Sequence, residues 1–328
     1  MKRYACWIVA ALASLTSGFS QTADHKRELV PFAAPPSEQK IWNLARSIAV
    51  DGKGSVIIFR GSEPSVLIYN RAGQLQKAWN VPDGKSIDLS SIKATRLRTG
   101  QEALYPDAHS VDLDREGFLW LTERSRHVVY KYTIDGKHVM TLGKDGVAGD
   151  SASTDAFNRP SDVVVGANGD IFVADDGNFR VVKFSKDGHF LKIIGGVKGT
   201  GPGQFGVPHA LNIDSKGRLL VLDQHQDEKG KSRVQIFDQN GKFLEEWKLE
   251  GDQPTGLVIT PDDTVYVADT NSTSITVFKN GKVIDTMKNL PIRPHNLAWD
   301  AATRTLYMTE PEGAKERPGG LVLKYDTH

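Results

Sequence analysis

The chain has 328 residues, 39% of them hydrophobic and 25% charged, with 41 lysines and arginines against 40 acids and a single cysteine. This composition excludes a disordered polyelectrolyte, and a net charge of +1 leaves no electrostatic footprint for nucleic acid. Beyond the N-terminus there is no apolar run of about 18 residues, so no integral membrane span is expected once a leader is removed.

In chain order, residues 1–20 read as a signal peptide. Lys2 and Arg3 precede an apolar core over 5–15, and Ser17, Gly18 and Ser20 are small residues suited to cleavage. The alternative, an uncleaved anchor, has to contend with a core too short to span a bilayer. Cleavage would remove Cys6, so the mature chain cannot form an internal disulfide although it is expected to be secreted or periplasmic. Residues 21–42 form an N-terminal segment in which 29–34 is β-compatible and Pro35 and Pro36 then break the strand. From 43 to 328 a unit repeats six times: a β-rich run, a polar turn with Gly or Asp, a second run usually ending in an acid, then a third run and, after another turn, a fourth. Examples are DVVVGANGDIFVAD (162–175) and ALNIDSKGRLLVLD (210–223). Each unit occupies roughly 47 residues, the span of a propeller blade. The expected fold is all-β, a six-bladed β-propeller, in preference to a β-sandwich, which does not require six units in register. The sixth unit stops after LVLKY, so the segment at 29–34 is expected to supply its fourth strand and close the ring. Residues 81–103 and 225–232 read as loop insertions.

Aligned on the first turn, one column reads Arg46, His109, Ser161, His209, Thr255, His295. Three of the nine histidines fall there, in alternate blades, and first strands line a propeller's channel. Three imidazoles at one depth, about 120° apart, make an open His₃ site suited to zinc or a similar ion. The plainer reading is an inert polar channel. A second column, at the end of the second strand, reads Arg60, Glu123, Asp175, Asp223, Asp269, Glu310. Its acids are expected to bond backbone N–H groups of the turn. Arg60 cannot do so; it either joins a salt bridge, with Glu63 or a neighbouring acid, or clamps a substrate carboxylate. His225 follows Asp223 closely enough to reach the channel mouth, whereas His127, His138 and His189 are expected on the surface.

These phrases resemble NHL-type repeats. More narrowly, the chain is similar to the six-bladed lyase domain of peptidylglycine amidating enzymes, the peptidyl-α-hydroxyglycine α-amidating lyases. The resemblance implies zinc on His109 in YPDAHSVDLD, His209 in GQFGVPHALNID and His295 in IRPHNLAWD, and a carboxylate-binding role for Arg60 in FRGSEP. It also implies a structural calcium near Asn296, where the family has an aspartate. The family's catalytic tyrosine has no counterpart in Asp175–Arg180, its blade-four arginine is replaced by Gln224, and its disulfides are impossible here. Asp175, Asp176, Glu310 and Tyr105 are the remaining candidate bases. The expected ligand is a small molecule or peptide with a carboxylate, either cleaved by a zinc lyase or bound by a non-catalytic NHL propeller with a structural metal.

Overall fold

The computed structural model describes residues 29–32, 44–84, 107–225, 232–251, 253–311, 313–314, 317–318 and 321–327. It is a six-bladed β-propeller in which every blade is a four-stranded antiparallel sheet. Blade one comprises Ala45–Val50, Ser55–Arg60, Val66–Asn70 and Leu75–Trp79, paired in that order. Blades two to five repeat the plan from Ala108–Leu113, Pro160–Val165, Val207–Ile213 and Pro254–Ile259. The sixth is assembled from both ends of the chain. Asn296–Asp300, Thr305–Glu310 and Leu321–Asp326 are its first three strands, and Val30–Pro31 pairs on the last of these as the fourth. The expected insertions at 81–103 and 225–232 fall largely outside the described residues, as does the leader expected at 1–20.

The burial pattern explains why each run became its strand. Second strands such as IFVAD and LLVLDQ are buried throughout, because a blade is covered on both faces by its neighbours. Fourth strands such as FLKIIG are largely exposed, as befits the rim. The core lies between blades. Val164, Phe172 and Val181 of blade three meet Leu211, Val221 and Phe237 of blade four in one apolar cluster. The seam between blades six and one is filled in the same way, with Phe32 edge-on to Tyr307 at 5.2 Å and to Tyr69 at 5.9 Å.

One irregularity recurs. In blades one to five the pairing of the first strand with the second shifts register around a single residue: Arg46, His109, Ser161, His209 and Thr255 in turn. A β-bulge leaves one residue out of the ladder and re-aims its side chain. Here the bulged residues are five of the six members of the histidine column, with His109 and His209 among them.

Candidate metal centre

The three histidines of alternate blades meet at the axis. His109, His209 and His295 are 3%, 7% and 8% exposed, and their ring centroids lie 4.8, 5.4 and 5.8 Å apart. One ligand atom from each falls within 4.8 Å of the other two. The rings are oriented by the backbone of the next blade. His109 Nδ1 donates to the Ser161 carbonyl at 2.5 Å, His209 Nδ1 to Thr255 at 2.8 Å and His295 Nδ1 to Arg46 at 3.0 Å. A carbonyl partner fixes the Nδ1–H tautomer and turns a bare Nε2 lone pair inward, the outer-sphere arrangement of metal-binding imidazoles. His109 Nε2 is buried with no protein partner among the described residues, an unmet lone pair that a cation would satisfy. Burial, reinforced by Arg46 and Arg124, holds all three imidazoles neutral: His109 and His209 well below their ordinary value and His295 down to about 3. Neutral imidazoles are what a divalent ion requires, so the donor set fits such an ion.

Above the histidines opens a cavity of about 480 Å³. Two further columns line it. One lies two residues before the histidine column and supplies Arg159, Val207, Gln253 and Arg293. The other follows the acid column by one residue and supplies Arg124, Asp176, Gln224, Thr270 and Pro311. With Arg46 and Glu310 the wall carries four guanidinium groups against two carboxylates among the described residues. Arg124 pairs through Nη2 with Asp176, and Glu310 accepts the Arg293 backbone N–H at 3.0 Å. Burial raises the Asp176 pKa, opposed by Arg124 and Arg159.

The other candidate residues lie as follows. Arg60 does not line the cavity. Its Nε donates to the Pro64 carbonyl at 2.6 Å and its Nη2 to the Glu63 carbonyl, and burial lowers its pKa to about 10. It closes its own hairpin, where a guanidinium meets carbonyls as the carboxylates of other blades meet N–H groups. Asp175 is no candidate base: fully buried, it accepts from Asn158 N, Asn178 Nδ2 and Arg180 Nε. Asn296 Oδ1 accepts the Ile48 N–H at 3.2 Å and so joins blade six to blade one. His225 stays off the cavity wall and bonds Asp223 at 3.0 Å. Phe179, in the stretch without the tyrosine, has φ 54° and packs on the core between blades three and four. Tyr105 lies outside the described residues. The cavity arginines 124, 159 and 293 were not foreseen; their signal was the spacing of one residue past the acid and two before the histidine.

Comparisons with known proteins accord with this architecture. The NHL repeat family matches residues 157–184 and 252–278, in blades three and five. The chain carries NHL repeats. It is 29% identical to the NHL repeat-containing protein 3 of Homo sapiens over 82% of this chain and 77% of that protein. It is also 29% identical to a probable peptidyl-alpha-hydroxyglycine alpha-amidating lyase of Caenorhabditis elegans, over 74% of this chain and 66% of that protein. Among solved structures, a gluconolactonase from Xanthomonas campestris superposes on this chain with a TM-score of 0.63 at 14% identity, covering 92% of this chain and 90% of that one. At that identity the likeness concerns the fold alone. Among the described residues no helix is long and apolar enough to cross a membrane.

Proposed function

We propose that this NHL propeller is an exported, zinc-dependent carbon–nitrogen lyase that cleaves a peptidyl-α-hydroxyglycine, or a similar carbinolamide carrying a carboxylate, to an amide and glyoxylate. The observation that carries the reading is the set of three neutral Nε2 lone pairs, each fixed by a carbonyl on the far side of its ring, at the floor of a cationic cavity. The likeness to lyases of Caenorhabditis elegans and Drosophila melanogaster supports the same chemistry. His109, His209 and His295 would hold the zinc, which when bound supplies a Lewis acid. The rest is proton management. The carbinol O–H proton leaves, the C–O bond becomes a carbonyl and the C–N bond breaks. The departing nitrogen then takes a proton and becomes the amide. Asp176 and Glu310 are the two cavity carboxylates able to take the first proton, and the arginines hold the carboxylate.

A second reading is a non-catalytic NHL propeller with a structural metal. It is favoured by the absence of a tyrosine from the described cavity wall and by the engagement of both carboxylates with arginines. Two measurements separate the readings. His209→Ala should abolish stoichiometric zinc while the exposed His138→Ala retains it, because two imidazoles rarely hold the ion. Glyoxylate release from a hydroxyglycine peptide should be seen in the parent and lost in His209→Ala. Zinc without glyoxylate leaves the binding propeller; equal zinc in both variants removes the metal site.

A further inference from the structure

At the end of the channel away from the histidines, where first strands turn into second strands, one side chain departs from the repeat. The residue four past the channel column is Val50, Leu113, Val165, Ile213 and Ile259 in blades one to five, and Trp299 in blade six. The indole packs on Tyr266 of blade five, with 16° between the ring planes and 6.0 Å between centroids, so its orientation is fixed across the seam. Tyr266 departs from its own column too. It is partly exposed, whereas the residues three before the acid in the other blades, Trp120 and Tyr307 among them, are buried. Trp299 Nε1 is itself buried, so the indole offers ring carbon, and not its N–H, to anything outside. Trp299 and Tyr266 line a cavity of about 370 Å³, a volume suited to a small molecule.

The rest of that cavity decides the class of ligand. Its polar wall includes Asp262 and Arg304. Asp262 accepts from Thr260 Oγ1 and pairs with Lys279 at 2.9 Å, yet its side chain is 72% exposed and keeps lone pairs to spare. Arg304 is exposed, and among the described residues its guanidinium has no hydrogen bond or ion pair. One carboxylate and one guanidinium balance, so the wall selects no net charge. A purely apolar ligand would cover both without giving either a partner. A pyranose meets both demands: its C–H face suits aromatic carbon, and its hydroxyls can donate to a carboxylate and accept from a guanidinium. We propose that this end of the channel binds a neutral sugar, its ring on Trp299 and its hydroxyls towards Asp262 and Arg304. The site stands apart from the metal centre and rests on neither reading of the histidines.

The test uses a chain of residues 21–328, with maltotriose, cellotriose and chitotriose as neutral probes, glucuronate as a charged one and benzyl alcohol as an apolar one, all titrated by calorimetry. At least one of the three neutral sugars should bind saturably, and more tightly than glucuronate or benzyl alcohol. Trp299→Ala should weaken that sugar about ten-fold, and Trp299→Phe, which keeps a ring, by less. Arg304→Ala removes an exposed side chain that belongs to no core cluster. It should weaken the sugar several-fold with an unchanged melting temperature, and it carries the test if the Trp299 variants do not fold. Lys186→Ala, which removes an exposed cation from a turn on the same face in blade three, should bind like the parent. No binding of any neutral sugar, tighter binding of glucuronate or benzyl alcohol, parent-like affinity in Arg304→Ala or in a folded Trp299→Ala, or an equal loss in Lys186→Ala overturns the proposal.

Discussion

Arg60 and Arg124 show how little a residue type says about its task. Both follow buried second-strand residues, and only one position separates their columns. Arg60 turns back to the carbonyls of Glu63 and Pro64, whereas Arg124 lies on the cavity wall. Arg60→Ala should therefore lower stability by about 2–4 kcal/mol, because the buried Pro64 carbonyl and the partly buried Glu63 carbonyl lose a charged donor. Glyoxylate release by the folded fraction should stay unchanged. A thermal melt read beside that assay checks this; an intact melting temperature with weakened release would return Arg60 to the ligand. The histidines were easier to read, because three of one kind in one column of a repeat leave few explanations. Arg124 was harder because its column is mixed: Arg124, Asp176, Gln224, Thr270 and Pro311 share a place but no chemistry.

At the scale of the element, the first strands carry the site. Their bulges turn the channel column inward at the upper end, and the residue after it stitches neighbouring blades lower down. Val111 N donates to Ser47 Oγ, Leu211 N to Asp162 Oδ2 and Ile48 N to Asn296 Oδ1. Beneath the histidines this places Asp112 and Asp162 around a cavity of about 150 Å³. Burial raises Asp112 to about 8, helped by the Asp162 charge, and Asp162 to about 6. A carboxyl raised in the folded state loses stability as pH climbs from its unfolded value, near 4, towards 8. Asp112→Asn should thus leave stability nearly unchanged at pH 4 and raise it progressively towards pH 8, by about 1.4 kcal/mol for each pH unit climbed between the two values. Melting temperatures of both proteins across that range provide the check; a constant difference would show that Asp112 does not titrate within it. Bulges were not legible in the sequence: Pro208-His209 and Pro294-His295 hint at interrupted ladders, but Ala108-His109 does not.

For the whole molecule the decisive event is closure of the ring. Two residues at one end of the chain, Val30 and Pro31, pair with Lys324 and Leu323 near the other, and Phe32 is buried between blades six and one. A chain beginning at Ile41 loses that strand and the Phe32 contacts. It should melt on the order of 5–10 °C below a chain that keeps residues 21–40, since losing a buried phenylalanine costs about 3–5 kcal/mol. An unchanged melting temperature would mean that the ring is held by the seam between the first strands of blades six and one alone. Because every core cluster joins consecutive blades, damage at this seam is expected to pass into both neighbours.

The sequence by itself determined the six-fold repeat, the identity of the three imidazoles and the missing outer strand of the last unit. Each of these depends on counting like against like at a fixed period, and neither partners nor orientation are needed for that. Tertiary structure alone decided which side chains face the axis and what they meet. A single bulged residue reverses the side to which a strand presents its neighbours, and the partners of Arg60, Asp175 and Asn296 lie in turns or in adjoining blades. The arginine wall arises in the same way, from mixed columns of different blades brought to one depth by the closed ring.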